Sequence, residues 1–193
     1  MRLFLAIELE DAVRAAVAAL QARLRAEAPD ADVRWVEPAN FHVTVKFLGE
    51  QPDARLSEIR EVCAEVAAAT PPFALGVRGA GAFPRRGPLK TLWVGVGEGA
   101  DAWRALARRA EAPLAPFGVP REGGLAPHVT LGRVKSGGGK DALRAALENE
   151  GDTDCGRQIA GHVTLIESRL DPRGAVYKNV DAWPFSRQAT NDL

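Results

Sequence analysis

The chain has 193 residues, of which 46% are hydrophobic and 26% charged, and its 25 basic side chains balance 25 acidic ones. This length and composition are those of a globular protein, and a net charge of zero excludes an overall field for holding long nucleic acid nonspecifically. Two cysteines are too few for a disulfide scaffold.

The apolar run at the start of the chain is too short for the core of a signal peptide, since Glu8 interrupts it. No stretch has the length needed to cross a bilayer. We therefore expect a cytoplasmic protein.

Apolar periodicity in the first half predicts five elements in the order strand, helix, strand, helix, strand. A short extended piece, residues 34–36, precedes the second of these strands. The five elements are predicted at 3–9, about 13–24, 41–48, about 53–69 and 73–78.

The same order recurs in the second half. The elements are predicted at 91–96, 101–111, 128–134, about 141–148 and 157–167, and a last strand follows at about 175–180. A segment rich in Gly, Pro and Arg, residues 79–90, is predicted to join the halves. We infer an internal duplication within one domain, residues 1–193, with lobes at about 1–80 and 90–168.

The three histidines of the chain each open a His-Val-Thr motif, at His42, His128 and His162. His128 lies 86 residues after His42, at the same place in the repeated order. The same offset sets His162 opposite Gly76, in the fifth element of the repeat. We therefore predict a functional role for His42 and His128 and a structural or peripheral role for His162.

Alternation along a strand places His42 and Thr44 on one face, and likewise His128 and Thr130, while the valines between them face the core. Two imidazoles with pKa values near neutrality can act as a general acid and a general base on one group held between them. Threonine hydroxyls can donate hydrogen bonds to its oxygens, which suggests a phosphate.

Other catalytic motifs do not fit the sequence. The glycine run before Lys140 lacks the remaining positions of a phosphate-binding loop, no serine has the glycine-flanked setting of a nucleophile, and no histidine pair has the spacing of a zinc site. Acid–base chemistry is what remains.

These two motifs, the first extended to His42-Val-Thr-Val-Lys-Phe-Leu-Gly49 and the second flanked by Pro127 and Arg133, resemble those of the 2H phosphoesterases. Within that superfamily the chain is most similar to the bacterial and archaeal RNA 2′,3′-cyclic phosphodiesterases, historically called 2′-5′ RNA ligases. The likeness runs from Arg2-Leu3-Phe4 to Tyr177.

The resemblance implies a bilobal α+β fold with pseudo-twofold symmetry, two antiparallel sheets facing a central groove, outer helices and no metal or cofactor. It implies hydrolysis of terminal RNA 2′,3′-cyclic phosphate to a 2′-phosphate, with reverse 2′-5′ ligation at the same site. His42 would be the proton donor, His128 the proton acceptor, and Thr44 and Thr130 phosphate contacts. The family also has a phosphate- or ribose-binding arginine at the position of Arg133, which strict alternation points away from His128 unless the strand twists or bulges.

Two alternatives remain open: a noncatalytic protein that binds RNA ends or phosphate, and a phosphodiesterase for another 2′-linked or cyclic nucleotide. Arg85, Arg86 and Lys90 could guide RNA in either case. We expect a monomer, because both lobes of the groove come from one chain, and we expect no membrane partner.

Overall fold

The structure, a computed structural model, describes residues 1–119, 124–171 and 174–186. Within these ranges the chain forms nine strands and four α-helices. The strands are β1 (Arg2–Glu8), β2 (Val33–Trp35), β3 (His42–Glu50), β4 (Phe73–Phe83), β5 (Thr91–Val96), β6 (His128–Val134), β7 (Asp154–Ala160), β8 (His162–Asp171) and β9 (Gly174–Pro184). The helices are α1 (Asp11–Glu27), α2 (Leu56–Ala68), α3 (Ala100–Glu111) and α4 (Lys140–Asn149).

The strands form one antiparallel sheet in the order β7-β4-β5-β6-β3-β1-β8-β9, and β2 pairs with β6 beside this path. Its two halves meet where β3 and β6 pair at Val43 and Val129. The predicted α+β class is confirmed, and the two predicted sheets are the two halves of this continuous sheet. The histidine strands are therefore neighbours at the centre of the molecule.

The two halves of the sheet exchange a strand. β4, from the predicted first lobe, pairs with β5 and β7 in the second half-sheet. β8, from the predicted second lobe, pairs with β1 in the first half-sheet. The half-sheets thus differ from the predicted lobes at about 1–80 and 90–168, because periodicity along the chain identifies strands without identifying their partners.

Two predicted boundaries are wrong for the same reason. The predicted join at 79–90 begins inside β4, which continues to Phe83 because it pairs with β5 beyond an irregularity between Arg78 and Ala80. The predicted strand at 157–167 is two strands separated at Gly161. β7 pairs in the second half-sheet and β8 in the first, so the chain passes from one half to the other at this glycine.

The hydrophobic core lies between the sheet and the helices. Helix α1 buries a stripe spaced by three and four residues, as predicted from its periodicity: Val13, Val17, Leu20 and Leu24. Cys63 on α2 is buried in this core, and burial raises the pKa of its thiol to about 12. Among the described helices, none has the length and apolarity to span a membrane.

The intervening residues of the histidine strands belong to the same core. Val43 and Val129 are completely buried in the cluster that the helices cover. Since successive side chains of a strand point to opposite faces, the histidines and threonines beside them lie on the face away from the helices. This is the geometry that the sequence predicted for the two motifs.

Candidate active site

The pairing of Val43 with Val129 brings the two His-Val-Thr motifs together in antiparallel orientation. In this register His42 lies across from Thr130, and Thr44 lies across from His128. Each histidine therefore faces the threonine of the other motif. A group bound at this point is flanked by one imidazole and one hydroxyl from each half of the sheet.

Both imidazoles are anchored by the same hydrogen bond. Nδ1 of His42 lies 2.8 Å from the carbonyl oxygen of Asn40, and Nδ1 of His128 lies 2.8 Å from that of Ala126. A carbonyl oxygen only accepts, so Nδ1 carries the proton in both rings. Nε2 is left to exchange a proton with a bound molecule, as acid–base catalysis requires.

Each histidine ring also packs between two aromatic rings. The His42 ring lies 4.8 Å from that of Phe4 and 5.4 Å from that of Tyr177, measured between centroids. In the other half-sheet, the His128 ring lies 5.2 Å from that of Phe83 and 6.5 Å from that of Trp93. These contacts restrict ring rotation and remove water from the imidazoles.

The surroundings lower the pKa of both histidines below the ordinary value. Burial is the largest cause of the lowered pKa of His42, a positive charge on His128 adds to it, and the carbonyl of Asn40 and the carboxylate of Glu8 oppose it. Burial also lowers the pKa of His128, assisted by Arg133 and opposed by the carbonyl of Ala126. The two rings therefore favour the neutral state that accepts a proton.

The threonines lie in the groove with their histidines. The Thr44 hydroxyl is 2.9 Å from Nε2 of His42, and it donates this hydrogen bond when the imidazole is neutral. Thr44 and Thr130 line a cavity of about 740 Å³ together with His128 and Arg133. Four of the five predicted site residues thus share one cavity, and the fifth, His42, is bonded to a residue that lines it.

A β-bulge turns Arg133 toward the groove. The ladder between β5 and β6 shifts register between Leu92 and Trp93, so that Leu131 is extra on β6 and Leu131 and Gly132 are both buried. The alternation restarts after the bulge, and the exposed Arg133 returns to the face of Thr130. Its Nη1 is 3.5 Å from Oγ1 of Thr91.

The first histidine strand has the corresponding irregularity. The β1–β3 ladder shifts between Leu5 and Ala6, and Val45 and Lys46 are both buried. Phe47, which lies 86 residues before Arg133, consequently lines the groove with 52% of its surface exposed. The two halves therefore place a ring and a guanidinium at equivalent positions.

Comparisons with known proteins give the family of the chain. Residues 7–93 match the family model described as LigT like phosphoesterase. The RNA 2′,3′-cyclic phosphodiesterase of Methanothermobacter thermautotrophicus is 31% identical over 95% of this chain and 98% of its own length, and that of Archaeoglobus fulgidus is 33% identical over 93% and 98%.

The chain belongs to the LigT-like phosphoesterases. A solved protein of Thermus thermophilus superposes on it with a TM-score of 0.80 at 26% identity, covering 96% of this chain and 98% of that one. Escherichia coli LigT, solved in complex with 3′-AMP, shares the fold with a TM-score of 0.71 at 22% identity and the same coverage. The predicted membership of the 2H superfamily, and with it the prediction of an enzyme, is confirmed.

The third His-Val-Thr motif of this LigT-like phosphoesterase contacts the carboxylate of Glu8. Thr164 is completely buried, and its hydroxyl donates to Oε2 of Glu8 at 2.8 Å, while Asn179 donates to both oxygens of the same carboxylate. Nε2 of His162 lies 3.9 Å from Oε2. Because Glu8 pairs directly with His42 across β1 and β3, the third motif lies next to the groove rather than between its halves.

Several residues around the site carry no sequence signal that identifies them. The aromatic neighbours of the histidines, Phe4, Tyr177, Phe83 and Trp93, come from four strands, and only strand pairing brings them to the rings. Glu8 is the last residue of β1, and an acidic residue at the end of a strand does not by itself indicate a place near the site. In the part of the chain that the structure describes, no three His, Cys, Asp or Glu side chains group as they would to hold a metal ion.

Proposed function

We propose that this LigT-like phosphoesterase hydrolyses the 2′,3′-cyclic phosphate at the 3′ end of RNA to a 2′-phosphomonoester. The observation that carries the proposal is the antiparallel pairing of Val43 and Val129, which sets two identically anchored imidazoles on either side of one groove. The names of relatives that match nearly the whole chain support the same substrate.

In the proposed reaction His128 accepts a proton from water as the water oxygen attacks phosphorus. The bond between phosphorus and the 3′ oxygen breaks, and His42 donates its Nε2 proton to that leaving oxygen. Each role contributes about 10² to 10⁴ in rate. The bound phosphate supplies the negative charge next to His42 that favours its protonated form.

The remaining groove residues act on the phosphate and its nucleoside. Hydroxyls of Thr44 and Thr130 donate to the nonbridging oxygens, and the guanidinium of Arg133 balances the negative charge that grows on them in the transition state. The exposed ring of Phe47 offers a surface for stacking a base. A ring built on the 2′ oxygen restricts the substrate to RNA.

The same arrangement can act with a different nucleophile. If an RNA 5′-hydroxyl replaces water, His128 removes its proton, the 5′ oxygen attacks phosphorus, and a 2′-5′ linkage forms as the 3′ oxygen leaves. The groove thus accounts for both hydrolysis and ligation with one set of proton transfers.

The pairing of two titratable imidazoles across one groove favours this proposal over a noncatalytic phosphate-binding protein, and burial lowers the pKa of both rings. A site that only binds phosphate is better served by permanently charged Arg or Lys than by two imidazoles whose pKa burial lowers. Two such rings are suited to exchanging protons. A phosphodiesterase for another 2′-linked or cyclic nucleotide uses the same groove, so substrate preference must be measured.

The deciding experiment is hydrolysis of a cyclic-ended oligoribonucleotide and of 2′,3′-cyclic AMP in the presence of EDTA. We expect product at the same rate with and without the chelator, and phosphate on the 2′ position by phosphorus NMR. Absence of turnover with tight binding of the cyclic end would establish the binding protein instead. Product with phosphate on the 3′ position would contradict the assigned roles of the two histidines.

A further inference from the structure

A second cavity, of about 700 Å³, adjoins the active-site groove on the side of the second half-sheet. The two cavities share Thr91 and Arg133, so they meet at the guanidinium of the proposed phosphate site. We call this cavity the basic trough. Its cationic side chains are Arg34, Lys90, Arg133, Lys135, Lys140 and Arg144.

The cations of the basic trough come from separate elements. Arg34 on β2 and Thr91 on β5 both pair with Arg133 on β6, so Arg34 and Thr91 flank it across the sheet. Lys90 immediately precedes β5. Lys135 follows β6, and Lys140 and Arg144 lie on α4. These cations do not form a consecutive run in the sequence, so it is the fold that brings them together.

Within the part of the chain that the structure describes, these six cations have no carboxylate partner. Across residues 1–119, 124–171 and 174–186, none of the six forms an ion pair, whereas other cations there do, as Arg23 does with Glu150 and Lys46 with Glu111. Within the same ranges, no acidic side chain lines the cavity. In a chain whose formal net charge is zero, this is a local surface for a polyanion.

We propose that the basic trough binds the phosphodiester backbone of the RNA strand on the 5′ side of its cyclic end. This inference rests on the proposed function, because a cyclic phosphate at the 3′ terminus leaves the rest of the strand to run away from the groove in the 5′ direction. The groove and the trough meet at Thr91 and Arg133, so a strand that leaves the groove on this side enters the trough. Several separated cations match successive phosphates along a strand, which one mononucleotide does not supply.

RNA binding in the basic trough makes the enzyme selective for RNA ends over cyclic mononucleotides. A single-stranded RNA that contacts cations through its phosphates releases counterions, so its affinity falls with salt with a logarithmic slope of about −0.7 for each contact. A cyclic mononucleotide places its phosphate in the groove and leaves the trough empty. Substitutions of the trough cations other than Arg133 therefore change affinity for the oligomer and leave the mononucleotide unaffected.

The test uses a trough variant in which three exposed lysines outside the proposed catalytic groups are changed together: Lys90→Ala, Lys135→Ala and Lys140→Ala. The matched control removes three exposed arginines that do not line the trough: Arg60→Ala, Arg108→Ala and Arg157→Ala. Circular dichroism and thermal unfolding check that both variants fold like the unmodified protein.

Two measurements are made on each protein. The first is fluorescence anisotropy of a labelled RNA of about eight nucleotides with a 2′-phosphate end, titrated at several salt concentrations. The second is kcat/KM for the cyclic-ended form of the same RNA and for 2′,3′-cyclic AMP. We expect the trough variant to bind the RNA at least about tenfold more weakly, with a salt slope reduced by about 2, and to hydrolyse 2′,3′-cyclic AMP normally.

RNA binding by the trough variant within about twofold of the unmodified protein, or an equal loss in the control variant, would overturn the inference. An equal loss of activity on 2′,3′-cyclic AMP would overturn it as well. If the unmodified protein hydrolyses neither substrate, the proposed function fails, while the anisotropy titration still decides whether the trough binds RNA.

Discussion

At the scale of single residues, the two histidines have equivalent hydrogen bonds and aromatic contacts but differently charged neighbours. Both donate Nδ1–H to a carbonyl two residues earlier in the chain, and both pack against two aromatic rings. Their charged neighbours differ: Glu8 raises the pKa of His42, and Arg133 lowers that of His128. This difference favours His42 as the acid and His128 as the base.

We predict that His42→Ala and His128→Ala each lower kcat for 2′,3′-cyclic AMP by at least about a hundredfold, because each removes one proton transfer. His162→Ala is the internal control, since His162 is 51% exposed in its side chain and lies beside Glu8 rather than between the two halves. It should keep nearly full activity. Full activity in either of the first two variants would contradict the proposed mechanism.

The charge of Glu8 gives a prediction about pH. Its carboxylate raises the pKa of His42, so Glu8→Gln lets His42 lose its proton at lower pH. Since the proposed acid must be protonated, the alkaline limb of kcat/KM should move to lower pH while the acidic limb stays in place. Glu10→Gln, at an exposed position, is the control. An alkaline limb that moves to higher pH would exclude this role for Glu8.

At the scale of elements, the bulges in β3 and β6 decide which side chains line the groove. Without them, strict alternation would turn Phe47 and Arg133 toward the helices. Each bulge buries two successive residues and returns the next one to the groove. The groove consequently gains an aromatic surface from one half-sheet and a cation from the other.

We predict that Arg133→Ala has two effects. It removes a donor to the phosphate, which lowers kcat/KM by about a hundredfold. It also removes a positive charge that lowers the pKa of His128, so the base stays protonated to higher pH and the acidic limb of the profile moves up.

The matched variant Arg133→Lys keeps the charge and loses the planar fork of the guanidinium. Its acidic limb should stay near that of the unmodified protein, while kcat/KM remains reduced. An acidic limb in Arg133→Ala that does not move would show that the guanidinium does not act on His128.

At the scale of the whole molecule, the exchange of β4 and β8 makes the two half-sheets dependent on each other. Each half-sheet is completed by a strand from the opposite part of the chain. Helix α1, from the first part of the chain, likewise packs against β7 and α4. There, Nε and Nη2 of Arg23 lie 2.6 and 2.9 Å from the carboxylate oxygens of the buried Glu150 after α4. Each half-sheet therefore depends on elements from both parts of the chain.

We predict that neither half of the chain folds alone when it is cut in the loop between β4 and β5, within residues 84–90. In the first fragment β4 lacks β5 and β7, and β1 loses β8, so apolar strand faces and unpaired backbone groups are exposed to water. Circular dichroism and limited proteolysis should show both fragments unfolded. The intact chain is the control, and a protease-resistant isolated fragment would contradict the structural interdependence.

The sequence by itself determined most of the strands and helices, because apolar periodicity is a local pattern. Two repeated His-Val-Thr motifs carried the family resemblance and, through it, the α+β class. It also identified His42, His128, Thr44 and Thr130 as candidates on one face of their strands. Its prediction about Arg133 depended on a bulge that alternation alone does not reveal.

Only the tertiary structure decided which strands pair, and the groove depends on that pairing. The exchange of β4 and β8, the aromatic neighbours of the histidines, the contact of Thr164 with Glu8 and the convergence of cations in the basic trough all join residues far apart in the chain. The physical reason is that backbone hydrogen bonding between strands is the same for every sequence, so a strand's partner is selected by packing of the complete core.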